Sequence, residues 1–289
     1  MSDEQNDTEP ETERSLGMVE RVNDHLESRR GFLSNTAKVG AGAIALGAAG
    51  TGTVAAEGTD YSDSDYEDKN ALGYGALSDV EIVRFALMLE RLEATFYTEA
   101  VGDEPIAEMG TAGDAEGARL GEHDVERSDI AAQLANPSMR YSTFQRIKQV
   151  RDHEQAHVKA LEGVLSAVGS DPSFASTLEF EFPYETVEDF YTLAYVFEDT
   201  GAAAYTSAAP VIDTEKYLAP AAQILAVEAR HASYFRTLAN PLPAGTGARN
   251  PFPEAFQDTM SVAEVVQAVL PFVKGVDEVS QVLALVTTD

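Results

Sequence analysis

Apolar residues recur at helical spacing in four long segments of the chain. Ile82, Phe85, Ala86, Leu89 and Phe96 form one stripe in residues 78–100. Ile147, Val150, Leu161, Val164 and Leu165 form a second in 142–168, and Phe190, Leu193, Phe197, Ala204 and Tyr205 a third between Glu185 and Pro210. Ala221, Ile224, Leu225, Ala232, Phe235 and Leu238 form the fourth, in 215–238. A period near 3.6 with one apolar face predicts four amphipathic helices that bury those faces against each other. Ser78-Asp79-Val80-Glu81 has the Ser-x-x-Glu form of a capping box at the first start. The third helix starts near Glu185 or Thr186, and Pro220 fits the fourth only near its first turns.

The connections are polar. Residues 101–140 read as a long irregular link with several Gly, two Pro and many acids, in which His123 is solvated rather than liganded. Residues 169–184 can span roughly 50 Å when extended, enough to cross the length of a bundle. From Asn240 a Pro/Gly-rich opening leads to a short amphipathic helix over 261–270 and a Val/Leu-rich end. This tail packs across the bundle or forms a contact between the subunits of a homo-oligomer. The predicted organisation is a disordered N-terminus with a signal segment (1–56), a linker (57–77), an all-α four-helix bundle (78–240) and a C-terminal helical extension (241–289).

The inner stripes carry acids. Glu154 and His157 stand three apart on the second, and Glu228 and His231 on the fourth, so each pair shares a helix face. With 29 Glu and 5 His in 289 residues, chance supplies roughly half of one Glu-x-x-His pair, so one match is weak and two on two apolar stripes form a pattern. The first and third stripes hold Glu90, Glu93 and Glu198. Glu90 is followed seven residues later by Tyr97, and Glu198 seven residues later by Tyr205. The halves therefore repeat, and in that repeat Glu93 matches Gly201, leaving Glu90 as the symmetric ligand and Glu93 as an extra acid near the site. In antiparallel neighbours rising ~1.5 Å per residue, Glu90 meets Glu154 and Glu198 meets Glu228 at one height.

Ionised carboxylates in an apolar seam each cost several kcal/mol unless compensated, and no Lys or Arg on the inner stripes is placed to pair with them all. Two divalent metals balance four carboxylates and accept two imidazoles. A Glu on each of two helices plus Glu-x-x-His on the other two is the ligand arrangement of di-iron and di-manganese carboxylate bundles. The expected metal ligands are Glu90, Glu154, His157, Glu198, Glu228 and His231. Tyr97, Tyr205 and Glu93 are expected behind them, and His153 at the stripe edge supports the site or is structural.

Composition narrows the chemistry. With no Cys, disulfides, zinc ribbons, iron–sulfur clusters, rubredoxin-type iron and lipoprotein anchoring are excluded. The formal charge is −29 with 20 basic and 49 acidic residues. The acids are spread along the chain, which fits a solvated surface adapted to high salt and gives nucleic acid no basic patch. Ser28-Arg29-Arg30-Gly31-Phe32-Leu33, a Gly/Ala-rich run to Gly50 and small residues at Val54-Ala55-Ala56 have the layout of a twin-arginine export signal. The alternative is a surface Arg pair before a flexible linker, and the long acidic stretch ahead of Arg29 departs from short basic signal starts. The run is short and Gly-rich for a membrane span and contacts a membrane only if it stays uncleaved.

Leu89-Glu90-Arg91-Leu92-Glu93-Ala94-Thr95-Phe96-Tyr97, Arg151-Asp152-His153-Glu154-Gln155-Ala156-His157-Val158 and Ala226-Val227-Glu228-Ala229-Arg230-His231-Ala232 resemble the ferritin-like domain family, in the branch that includes desiccation-related proteins. The resemblance covers roughly 77–275. It implies a ferritin-like bundle with a long crossover between its second and third helices, and two iron (or manganese) ions on the six residues above. The 101–140 link departs from cage-forming ferritins. Two function classes follow. One is a redox enzyme that uses dioxygen or peroxide: iron oxidation, peroxide reduction or a manganese catalase. The other is a non-catalytic stress or envelope protein that binds metal structurally.

Overall fold

A computed structural model describes residues 72–103, 118–133, 140–239, 251 and 256–287, all within the unit Asn70–Asp289. The expected signal with Arg29-Arg30, and residues 57–71 of the expected linker, lie outside the described residues. The rest of that linker is ordered: Tyr74–Ala76 form a 3₁₀ turn, and Tyr74 is buried with its ring edge-on to Phe85.

Four long helices form the bundle: α1 (Asp79–Val101), α4 (Thr143–Ala167), α5 (Val187–Ala208) and α6 (Glu215–Ala239). The short helices α2 (Glu122–Arg127) and α3 (Asp129–Gln133) lie between the first two, and α7 (Val262–Val269) and α8 (Val279–Thr287) follow the last. Among the described residues no strand forms, and no helix is long and apolar enough to cross a membrane.

Local chemistry sets the helix starts. At α1 the Glu81 amide donates to Ser78 Oγ at 3.3 Å, and the Ser78 amide donates to Glu81 Oε2 at 2.7 Å. Thr186 and Asp189 do the same for α5, and Ser261 and Glu264 for α7. Each box satisfies amides that the first turn leaves without carbonyls, and its loss costs about 1 kcal/mol. Pro220 is the sixth residue of α6.

The helices pack in two pairs, α1 along α4 and α5 along α6, joined by α1 against α5, and α4 meets α6 through the side chains of the seam. One end of the seam is filled with rings: Phe96 stacks on Phe190 at 4.9 Å and meets Phe197 edge-on at 5.0 Å. Tyr97 stacks on Phe235 at 5.6 Å. Burying each phenylalanine removes enough apolar surface to stabilise the fold by about 1.5–3 kcal/mol.

The crossover from α4 to α5 is tied to the C-terminal extension. Phe180 and Val273 form an antiparallel bridge, flanked by Glu181 N–H to Phe272 O at 3.0 Å and Lys274 N–H to Glu179 O at 2.8 Å. Buried Arg84 of α1 donates to the carbonyls of Val286 at 2.8 Å and Leu285 at 3.1 Å, which fixes the C-terminal end of α8. The extension thus packs on the bundle. The link expected to be irregular over 101–140 contains α2 and α3, each too short to show a period in sequence. His123 is exposed, as expected of a solvated residue.

Candidate metal centre

The four long helices bring Glu90, Glu93, Glu154, Glu198 and Glu228 together, each almost entirely buried. His157 and His231 sit among them. His157 Nδ1 lies 3.0 Å from Glu154 Oε2, 3.1 Å from Glu90 Oε2 and 3.2 Å from Glu228 Oε1. His231 Nδ1 lies 2.9 Å from Glu154 Oε1 and 3.1 Å from Glu198 Oε2. Two overlapping sets result, Glu90–Glu154–His157–Glu228 and Glu154–Glu198–Glu228–His231. In each, one ligand atom per residue falls within 4.8 Å of all the others. Glu154 and Glu228 belong to both sets. The arrangement therefore has two ends, Glu90 with His157 and Glu198 with His231, and a shared middle.

The remaining neighbours orient this cluster. The Tyr97 hydroxyl of α1 donates to Glu198 of α5 at 2.5 Å, and the Tyr205 hydroxyl of α5 donates to Glu90 of α1 at 2.7 Å. The two bonds cross, each tyrosine holding the carboxylate of the opposite half. His153 Nδ1 lies 2.9 Å from His231 Nε2 with the rings stacked, so the outer nitrogen of His231 has a fixed partner. Glu93 faces Gly201. A β-carbon at Gly201 would lie 3.3 Å from Glu93 Oε1 and 3.0 Å from Glu228 Oε2. The residue that breaks the sequence repeat is therefore the one that makes room for the fifth carboxylate.

Burial and mutual repulsion set the protonation. Burial opposes a proton on His157 and His231, but their carboxylate neighbours outweigh it and push both up to about 10. Glu154 is held down to about 2: burial works against its charge, and the His157 and His231 contacts overcome it. Burial raises Glu90 to about 7 against the opposing effect of His157. Glu228 and Glu93 are pushed well above the carboxylate range, first by burial and then by the surrounding carboxylates. Burial lowers His153, with the charge on His231 next. Among the described residues, the ion pairs to these five glutamates come from the two histidines. The buried cations Arg84, Lys148, Arg151 and Arg236 are placed elsewhere; Arg151, for one, donates to Gly102 O at 2.6 Å.

The donor set suits a hard divalent transition metal. Carboxylate oxygens and imidazole nitrogens bind iron or manganese, with no soft sulfur to favour copper(I). Both oxygens of Glu228 and Oε1 of Glu154 have no hydrogen bond although they are buried; Glu228 Oε1 and Glu154 Oε1 each lie near an imidazole nitrogen, at 3.2 and 2.9 Å. Buried carboxylate oxygens without donors are costly, and here they belong to the two residues shared by both sets.

The structure brings the six expected ligands together with Glu93, Tyr97 and Tyr205, and places His153 against His231. What sequence did not disclose is the crossing of the two tyrosine bonds and the partnership of His153 with His231. A His beside a Glu-x-x-His pair was the available signal for the second. In comparison with known proteins, the family described as ferritin-like domain matches residues 78–241. No curated protein matches the chain.

Proposed function

The chain belongs to the ferritin-like domain family, and on that footing we propose that it is a di-metal carboxylate protein acting in oxidative iron handling or peroxide detoxification. The observation that carries the reading is the shared pair Glu154 and Glu228, where Glu154 Oε1 and both Glu228 oxygens are buried without hydrogen bonds at the junction of two four-residue sets. Glu90 and His157 would hold one ion, Glu198 and His231 the other, and Glu154 and Glu228 would serve both. Iron is the first choice and manganese the alternative, because both take these ligands. A pair of such ions, when bound, supplies two redox-active centres side by side.

The protein's own contribution is to fix ligand geometry and keep water away. Tyr97 and Tyr205 hold the end carboxylates by hydrogen bonds, and His153 sets the ring of His231, the support that tunes a metal ligand from behind. The ring-filled end around Phe96, Phe190 and Phe235 excludes solvent from the Tyr97 side. Loading requires His157 and His231 to give up their protons, so binding is coupled to proton release. The Arg29-Arg30 segment supports a further part of the proposal, export by the twin-arginine route. Replacing both arginines by lysine should then leave the precursor in the cytoplasm, and undiminished secretion would count against it.

The test is anaerobic reconstitution of the full chain with Fe(II) or Mn(II), with metal per chain measured by elemental analysis. Wild type should hold two. Glu154→Ala, Glu228→Ala, His157→Ala and His231→Ala should each fall well below two, and Glu93→Ala should fall less. Fe(II) oxidation by dioxygen or peroxide, and peroxide disproportionation with Mn, then test turnover. A wild-type chain that retains no transition metal overturns the proposal. Metal without turnover in either assay makes the site structural, as in a non-catalytic stress or envelope protein.

A further inference from the structure

Between α4 and α6 the bundle presents a cleft whose charge is opposite to that of the chain. On α4, Arg146, His153 and Ala160 recur every seven residues. On α6, Lys216, Gln223 and Arg230 do the same, with Pro220, Val227 and Tyr234 in a row beside them. Seven residues are close to two turns, so each row follows one stripe of its helix. The stripes face each other. The Arg146 guanidinium stands 5.8 Å from the centre of the Tyr234 ring, His153 stacks on His231, and Ala160 and Pro220 edge one pocket.

The formally charged residues on these stripes, Arg146, Lys216 and Arg230, are all basic, in a chain of 49 acids and 20 bases. The acids of α4 and α6 are placed elsewhere. Glu154 and Glu228 belong to the carboxylate cluster, and Asp152 and Glu162 pair with Arg151 and Arg91 at 2.5 and 3.5 Å. Glu215 lies roughly 100° round α6 from Lys216.

Between Lys216 and Arg230 the cleft opens into a pocket of about 690 Å³, a volume ordinary for a small-molecule site. Phe85 and Leu89 of α1, Val164 of α4, Ala204 and Tyr205 of α5 and Ile224 of α6 form its inner wall, and exposed Ala160 and Pro220 leave it open to solvent. No charged side chain lines it, and the Tyr205 hydroxyl already donates to Glu90 at 2.7 Å. Along α6 the wall runs from Tyr217 to Ile224, about 10 Å of helix. The Lys216 ammonium stands 5.1 Å from the centre of the Tyr217 ring, so one end of this apolar wall carries a cation. A ligand that satisfies both features is apolar along its length and anionic at one end.

We propose that the pocket binds a straight-chain alkyl carboxylate, with its tail between α4 and α6 and its carboxylate at Lys216. The site uses none of the metal ligands, so it goes beyond the di-metal reading and does not depend on it.

The test uses the full-length chain, treated with chelator so that metal plays no part, at about 0.1 M salt, where the lysine is only partly screened. Straight-chain carboxylates from hexanoate to hexadecanoate, each below its micelle concentration, are titrated by calorimetry. Each added methylene should tighten binding about fourfold until the pocket is full. Lys216→Gln should weaken the carboxylates about fivefold or more and leave the matching alcohols within about twofold. Val164→Phe, or Ala221→Phe if the first does not fold, should abolish binding of both. The length series and Lys216→Gln decide the question even if neither filled variant folds. The proposal is overturned by no binding at any length, by affinity that does not grow with length, or by equal weakening of acids and alcohols in Lys216→Gln. Adsorption to anionic phospholipid vesicles without uptake of the monomeric acids also overturns it, because the cleft would then be a membrane-facing surface.

Discussion

Gly201→Ala separates the stability of the bundle from the needs of its cluster. In a helix interior, alanine is favoured over glycine by about 1 kcal/mol, and Gly201 lies well inside α5. For a domain of this size that corresponds to a rise of about 2–4 °C in thermal midpoint. The new methyl would meet Glu228 Oε2 at 3.0 Å and Glu93 Oε1 at 3.3 Å. Both atoms are ends of flexible side chains, and Glu228 has no hydrogen bond to lose by swinging a few tenths of an ångström. The chelator-treated variant should therefore keep most of the stability gain. The metal-loaded protein needs Glu228 where both ligand sets meet, so the same displacement should weaken metal binding by about tenfold, or about 1.4 kcal/mol. Gly163→Ala is the control, because a β-carbon there has nothing within 4 Å: it should gain stability with no change in metal affinity. Calorimetry of metal-free and loaded protein, with competitive metal titration, reads both signs. Unchanged metal affinity in Gly201→Ala would refute the idea that glycine is kept there for the carboxylates. A destabilised metal-free variant would refute their freedom to move.

Metal-free protein should lose stability as pH rises from 7 to 10: His157 and His231, raised to about 10, stabilise fully below their unfolded value of ~6.5. Glu90, raised to about 7, acts in the same direction between ~4.5 and 7, whereas the depressed Glu154 stabilises above ~4.5 and loses its effect as pH falls through about 2; a flat midpoint from pH 7 to 10 would contradict this. Double-mutant cycles with Tyr97→Phe, Tyr205→Phe, Glu90→Gln and Glu198→Gln should show coupling of about 1–2 kcal/mol for Tyr97–Glu198 and Tyr205–Glu90. Coupling for the same-helix pair Tyr97–Glu90 should be near zero, and the reverse ranking would refute the crossing. Arg84→Met removes the charged donor from the end of α8 and should cost on the order of 2 kcal/mol, with amide exchange in 279–287 rising to that of a frayed end; protection equal to wild type would show that α8 docks without it. Raising salt from 0.1 to 1 M shortens the screening length from ~10 to ~3 Å, so a chain of formal charge −29 should melt higher in salt, and a falling midpoint would contradict charge repulsion as the limit.

Sequence disclosed the parts of this fold that repeat along one helix. Glu154 with His157 and Glu228 with His231 could be read because three-residue spacing fixes a shared face, and the start of α1 because Ser78 and Glu81 satisfy each other locally. Features that depend on two distant helices were harder to see. The spacing from Glu90 to Tyr97 matches that from Glu198 to Tyr205, yet spacing within a helix does not say which carboxylate a hydroxyl reaches, and both reach across. Gly201 read as a break in the repeat, when its meaning lies in the volume it leaves for Glu93. The pocket beside Tyr205 was invisible for the same reason, since small and medium side chains on four helices must reach one level before a void exists. The helices α2 and α3 give no periodic signal because they are held by what they pack against rather than by their own composition.

The crossed tyrosines also make each half of the bundle depend on the other. The pair α1 with α4 and the pair α5 with α6 each carry one Glu-x-x-His helix, one end glutamate (Glu90 or Glu198) and one tyrosine, with Glu93 extra in the first, but the tyrosine serves the other half's glutamate. Neither half builds this centre alone, because each end carboxylate takes its hydroxyl from the opposite half. The crossover between α4 and α5 keeps the two halves permanently together. A chain cut there should regain its centre only when both fragments are present together.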